Sequence, residues 1–298
     1  MDLFHGLSAF SLTPTDADGI VQTQALSALI DHIKTADVQS IGLLGSTGGY
    51  AYLTREERQR TIHAAVECLN GTIPLIVGVS ALRTDEAQAL ARDAQALGAS
   101  GLLLSPMSYT PLTDEEVFQH FKAVAQATDL PLCIYNNPGT TKFTFDVTLI
   151  QRLANVANIV AIKMPLPADG GFTDEIARLR EVTPSGFAIG YSGDWGAADS
   201  LLAGCDAWYS VIAGLLPVPA LKLTQAAATQ NLEKAREIDQ SFAPLWSLFK
   251  EFGSFRVMYV IADLLGLCSI EPPRPILPLT EPARDRVRQA LLHIEVLQ

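Results

Sequence analysis

The sequence predicts an α/β fold: a closed (β/α)8 barrel carrying a helical extension at its C-terminal end. Three observations point there. Short apolar runs recur eight times between positions 7 and 211, amphipathic stretches with helix start and stop signals separate them, and after about Leu223 only helical patterning continues. Eight β/α units in roughly 225 residues suit a closed barrel, with a doubly wound open sheet as the competitor. The implied division is a barrel over 1–223 and a helical domain over 224–298.

The candidate strands are 7–10, 41–44, 75–79, 101–104, 132–135, 159–163, 187–190 and 207–211. Among the helices between them, 54–69 opens with Thr-Arg-Glu-Glu, which puts Thr54 and Glu57 at capping-box spacing. In 84–97, Leu90, Ala94 and Leu97 share one face and Gly98 stands at the stop. Thr113-Asp114-Glu115-Glu116 opens a third helix as the first is opened. The extension reads as helices over 231–252, 255–265 and 281–297, broken by Gly253 and by Pro272-Pro273-Arg274-Pro275. Its aromatic stretch 242–255 suits either a core or a contact surface.

Composition excludes several function classes. With 298 residues, 48% of them apolar, the chain can bury a large core. Its net charge is −11 and no stripe of Lys and Arg exists, so nucleic acid is not an expected partner. The N-terminal residues carry an acid at Asp2 and no basic region before a long apolar stretch, which argues against a signal peptide, and no apolar run reaches the ~18 residues of a membrane span. Cys68, Cys133, Cys205 and Cys268 form no C-x-x-C pair, and His5, His32, His63, His120 and His293 are scattered, so neither a disulfide framework nor a metal cluster is expected. The cytoplasm is the simplest location.

In a barrel, functional groups gather where strands end. The sixth run, Ile159-Val160-Ala161-Ile162, ends in Lys163, which delivers one amine to the mouth of a core. A desolvated lysine amine is partly neutral near pH 7 and can attack a ketone. A lysine that snorkels to solvent is the bland alternative. The other lysines, Lys142 apart, fall in helical stretches, where solvated side chains are ordinary. After the second run comes Gly45-Ser46-Thr47-Gly48-Gly49, whose hydroxyls and close backbone N–H groups suit a carboxylate; it lacks the lysine of a phosphate-binding loop and, alone, reads as a Gly-rich turn. The fifth run ends in Tyr135, a phenol placed to carry a proton or merely to cap the core. The seventh leads to Tyr191-Ser192-Gly193-Asp194, where Asp194 is expected to cap the next helix. Singly these are weak signals, but together they put a nucleophile, a proton carrier and an anion cradle at one barrel mouth, as Schiff-base chemistry on a 2-keto acid requires.

These motifs resemble those of the dihydrodipicolinate synthase and N-acetylneuraminate lyase family of class I aldolases. Gly45-Ser46-Thr47-Gly48 is similar to its G-T-T-G segment, Tyr135-Asn136-Asn137-Pro138 to Y-N-x-P, Ala161-Ile162-Lys163 to G-I-K, and Ser192-Gly193-Asp194 with 207–211 to S-G-D and G-V-I-S-V. The resemblance covers essentially the whole chain and implies a TIM barrel with a helical extension, and a homo-oligomer. It also implies that Lys163 forms an imine with pyruvate or another 2-keto acid, that Tyr135 moves protons, and that no cofactor is needed. Thr47 and the surrounding backbone, Gly48 included, would hold the carboxylate; Ser46 would stand in a hydroxyl relay; and the position of Tyr209 would line the pocket through its backbone. Three departures accompany it. Thr140 stands where the synthase branch has an arginine that grips the second substrate's carboxylate, Ser108 where that branch has a relay tyrosine donated across an interface (Tyr109 is offset by one), and Gly49 where an acid closes G-T-T-G-E. A carboxylate grip of that kind is bidentate and cationic, which a threonine cannot reproduce. Synthase, sugar-acid lyase (N-acetylneuraminate or 2-keto-3-deoxy sugar acid) and dehydratase share the first half of this chemistry. A non-catalytic 2-keto-acid binding protein is the reading of another class.

Overall fold

A computed structural model describes residues 3–16 and 18–294; Met1 and Asp2, on which part of the N-terminal reading rests, Ala17, and 295–298, which include the end of the last expected helix, lie outside the described residues. The strands are β1 Gly6–Phe10, β2 Ser40–Leu43, β3 Leu75–Gly78, β4 Gly101–Leu104, β5 Leu132–Tyr135, β6 Ile159–Met164, β7 Ala188–Tyr191 and β8 Ala207–Ser210. Each pairs in parallel with its sequence neighbour and β8 pairs with β1, which closes the sheet into a TIM barrel. Around it run α1 Thr23–Ile33, α2 Arg55–Leu69, α3 Thr84–Ala96, α4 Asp114–Ala125, the single turn α5 Pro138–Thr141, α6 Val147–Ala154, α7 Phe172–Val182, α8 Ala197–Leu202 and α9 Pro217–Ala228. The extension is α10 Leu232–Phe252, α11 Ser254–Leu264 and α12 Glu281–Leu292.

Side-chain periods explain the layers. Helix α1 buries Leu26, Leu29, Ile30 and Ile33, a helical stripe that seals against the strands. Along each strand alternate residues turn inward, so Phe10, Ile76, Leu103, Cys133, Ala161 and Tyr209 fill the barrel as a core separate from that beneath the helices. Closure puts every strand end at one mouth.

Local signals are met unevenly. Thr113 and Glu116 form a complete capping box at α4. At α2 only half of one forms: Thr54 accepts from the Glu57 backbone N–H, but the Glu57 carboxylate accepts from the Val21 N–H in the β1–α1 connection, a tertiary partner that outcompetes the local one. The boundary expected at 223 falls inside α9, the last barrel helix, which continues to Ala228. The aromatic stretch of the extension is core: Phe242 and Trp246 stack at 4.8 Å between ring centroids, and both are buried with Phe249.

Candidate active site

The register of the barrel mouth brings the expected groups together. Tyr135 on β5 stands level with Lys163 on β6, and Lys163 with Gly190 on β7, whose missing side chain lets the Tyr209 ring pack 2.5 Å from where a Cβ would sit. The Lys163 amine is enclosed by rings: Nζ lies 4.0 Å from the centroid of Phe10, 4.3 Å from that of Tyr135 and 5.7 Å from that of Tyr209. The residue is only 4% exposed and, among the described residues, its amine has neither a hydrogen bond nor an ion pair. Burial pushes its pKa from 10.5 down to about 8, with neighbouring Cys133 and Asp194 opposing the fall. At pH 7 about one amine in ten is then unprotonated.

Tyr135 is arranged as a proton donor. Burial pushes its phenol up to about 12, against the pull of a hydrogen bond with Ser46, whose Oγ is 3.4 Å from the phenol oxygen. Asn137 Nδ2 donates to the same oxygen at 3.0 Å and to Thr140 Oγ1 at 3.0 Å. Because Asn137 occupies a lone pair, the phenol proton is left for Ser46 or for a bound molecule. Asn137 was not anticipated as functional; its only sequence signal is its place within Y-N-x-P.

The 45–49 turn follows β2. Ser46 and Thr47 line the cavity, and the Thr47 hydroxyl makes no hydrogen bond within the described chain. Gly48 is packed so closely that a Cβ would lie 2.9 Å from Leu44 N, and Gly49 adopts φ +62°, with the Phe255 ring of the extension 3.5 Å from where its Cβ would sit. An acid at position 49 would meet that ring.

Asp194 does something other than cap a helix. Its carboxylate accepts from Trp208 Nε1 at 2.9 Å, Val211 N at 3.2 Å and Ile212 N at 2.8 Å, and it does not cap the helical turn it opens. Burial raises its pKa to about 6, against the pull of those three donors. The N–H groups beyond β8 are nearer and better aimed than a helix start, so Asp194 ties the β7 loop to the β8 loop.

Two further residues expected at the pocket do not line the cavity with their side chains. The Tyr209 side chain lies inside the barrel beneath the amine, where its hydroxyl meets Cys133 Sγ at 3.6 Å, and Val211 lines the cavity instead. Ser108 donates to the Thr110 carbonyl and lies outside the cavity wall, while neighbouring Tyr109 is 97% exposed. Phe10, the floor under the amine, was missed because the first apolar run does not reveal which of its residues turn inward.

These groups open into a cavity of about 830 Å³ over the β5–β8 side of the mouth. Thr140, Leu166, Trp195, Phe249 and Phe255 form its outer wall, the last two from the extension. Among the described residues, Lys163 is the only Lys or Arg that lines it. Among the described residues, no three His, Cys, Asp or Glu are grouped to share a metal ion and no helix is long and apolar enough to cross a membrane.

Sequence comparison adds a decisive match. A model of the dihydrodipicolinate synthetase family fits residues 3–294. The chain belongs to that family. A 4-hydroxy-tetrahydrodipicolinate synthase of Thiobacillus denitrificans is 36% identical over 289 residues, covering 96% of this chain and 95% of its own length. One from Alcanivorax borkumensis is 32% identical over 298 residues, with 99% of each chain covered. Among solved structures, a dihydrodipicolinate synthase from Agrobacterium tumefaciens superposes with a TM-score of 0.97 at 60% identity over 98% of each chain. The chloride-inhibited enzyme of Acinetobacter baumannii, complexed with pyruvate, superposes with 0.88 at 30% identity over 97% of this chain and 98% of that one. As a member of the dihydrodipicolinate synthetase family the chain is a lyase of the class I aldolase type.

Proposed function

We propose that this member of the family forms an imine between Lys163 and the keto carbon of pyruvate or a related 2-keto acid, and that the resulting enamine makes or breaks a bond to a second, less acidic partner. The observation that carries the reading is a buried amine without a carboxylate partner, held against the Tyr135 ring at the floor of a cavity. Thr47 and the Gly48 backbone hold the substrate carboxylate, and neutral Lys163 adds to the keto carbon. Tyr135 gives its proton to the departing hydroxyl so that water leaves. The imine then withdraws electrons, and loss of a proton or of a carbon–carbon bond at the adjacent carbon gives the enamine. Because the imine is made with the substrate, no cofactor enters.

The second partner is read from the rim. Thr140 bonds Asn137, and among the described residues Lys163 is the only cation in the cavity wall, Lys250 standing outside it over the Trp195 ring, so an acidic aldehyde finds no bidentate guanidinium beside Thr140. This favours an aldehyde without a carboxylate at that end, or cleavage of a longer 2-keto sugar acid, over dihydrodipicolinate synthesis. We also infer a homo-oligomer, supported by the exposed Leu82 and Tyr109 on the connections after β3 and β4.

Borohydride reduction in the presence of pyruvate tests the imine: a mass increase on the Lys163 peptide is expected, and its absence with pyruvate in excess removes the reading. A screen of pyruvate with acidic and neutral aldehydes, followed by longer keto acids for cleavage, tests the partner. Turnover best with the acidic aldehyde would reject the reading of the rim.

A further inference from the structure

Beside the site runs a second set of buried hydroxyls that the chemistry above leaves unused. Leu104 of β4 pairs with Ile134 of β5, so Ser105, one residue on, stands next to Tyr135 on the inward face, about one strand spacing (~4.8 Å) away. Ser80 continues this level beyond β3: its Oγ is 2.9 Å from Ser105 Oγ and accepts from Ser105 N at 2.8 Å. From beyond the 45–49 turn, the Tyr50 phenol returns to Ser105 Oγ at 3.4 Å. All three residues are buried, Tyr50 the least so at 8% exposed. The Arg58 guanidinium lies over the Tyr50 ring, 5.2 Å from its centroid, donates to the Ser80 carbonyl at 3.0 Å, and forms no ion pair among the described residues.

Barrel interiors at this depth are ordinarily filled with branched apolar side chains, and each buried hydroxyl costs free energy unless it is paired. Here the paired hydroxyls form a line that starts level with Tyr135 and Lys163 and ends at the Tyr50 phenol in the layer beneath the helices, the most exposed of the three at 8%. We propose that Tyr50 is a positioning residue for proton transfer, the outer station of a path that runs through Ser105 to Tyr135. The proposal rests on imine chemistry at Lys163. When Tyr135 gives its proton to the departing hydroxyl, the carbon–oxygen bond breaks and water leaves; Ser105 then returns a proton to Tyr135, directly or through one bridging water, and takes one from Tyr50, which takes one from solvent. The reverse order removes the proton released when the enamine forms. Arg58 supplies fixed positive charge where negative charge passes.

Tyr50→Phe keeps the ring and removes the hydroxyl. Exchange of the pyruvate methyl protons into deuterated water should fall roughly tenfold or more, with pyruvate affinity and thermal stability unchanged. Ser105→Ala should fall as far, and the double variant no further than the worse single one, because both interrupt one path. Should Tyr50→Phe fail to fold, Ser105→Ala carries the same test. Exchange within twofold of the unaltered protein overturns the proposal, and so does a fall that comes with lost pyruvate affinity, which marks a structural role. If the unaltered protein yields no borohydride adduct on Lys163, the imine reading fails and takes the path with it. If it does yield one while Tyr50→Phe exchanges normally, only the path fails.

Discussion

A lysine amine that is 4% exposed is costly to keep charged, and the faces of three aromatic rings offset only part of that cost. Its folded pKa of about 8 lies below the ordinary 10.5, so the folded chain binds that proton less readily than the unfolded one. The cost is full below about pH 8 and disappears as pH rises toward 10.5. Lys163→Met should therefore abolish turnover and yet raise unfolding free energy at pH 7 by up to about 3 kcal/mol, with the gain shrinking at pH 10, as denaturant titrations at the two pH values would show. The rate of borohydride-trappable adduct in the unaltered protein should rise about tenfold per pH unit below pH 8 and level off above, while Tyr135, pushed up to about 12, stays protonated throughout. A rate flat from pH 6 to 9 would contradict that assignment.

At the scale of elements, loops rather than strands tune the site. Asp194 holds two of them, and its three donors are left without an acceptor if the carboxylate is removed. Asp194→Ala should destabilise by about 2–4 kcal/mol, since a buried indole N–H and two backbone N–H groups lose their partner together. It should also weaken pyruvate binding, because Val211 forms part of the cavity wall; calorimetry of the variant with and without pyruvate would measure both effects. The same element shows where local reading stops. Thr113 with Glu116 was legible as a cap because both partners lie within one turn, whereas Asp194 and Glu57 looked like helix-start residues and found tertiary partners 14 to 18 and 36 positions away.

For the whole molecule, barrel closure makes one site from residues spread between Phe10 and Phe255. The extension contributes Phe249 and Phe255 to the cavity wall, so it belongs to the site as well as to the core. Leu82 and Tyr109, 58% and 97% exposed, are unusual for large apolar side chains on neighbouring connections of one barrel end. Light scattering should give a mass above that of a single chain. Leu82→Asp with Tyr109→Asp should lower it while leaving far-UV circular dichroism unchanged; an unaltered mass would place the contact elsewhere.

The barrel, the extension and the candidate amine, phenol and hydroxyl turn were legible along the chain, because strand period, helix caps and short motifs are written in neighbouring residues. Which residues share a level inside the barrel came from folding, and with that the aromatic floor under Lys163, the Asn137 bridge, the Asp194 tie and the line from Ser105 to Tyr50. Register is the cause: a parallel barrel aligns strands separated by long crossovers, and its hydrogen-bonding offset, which no local pattern encodes, sets which side chains meet.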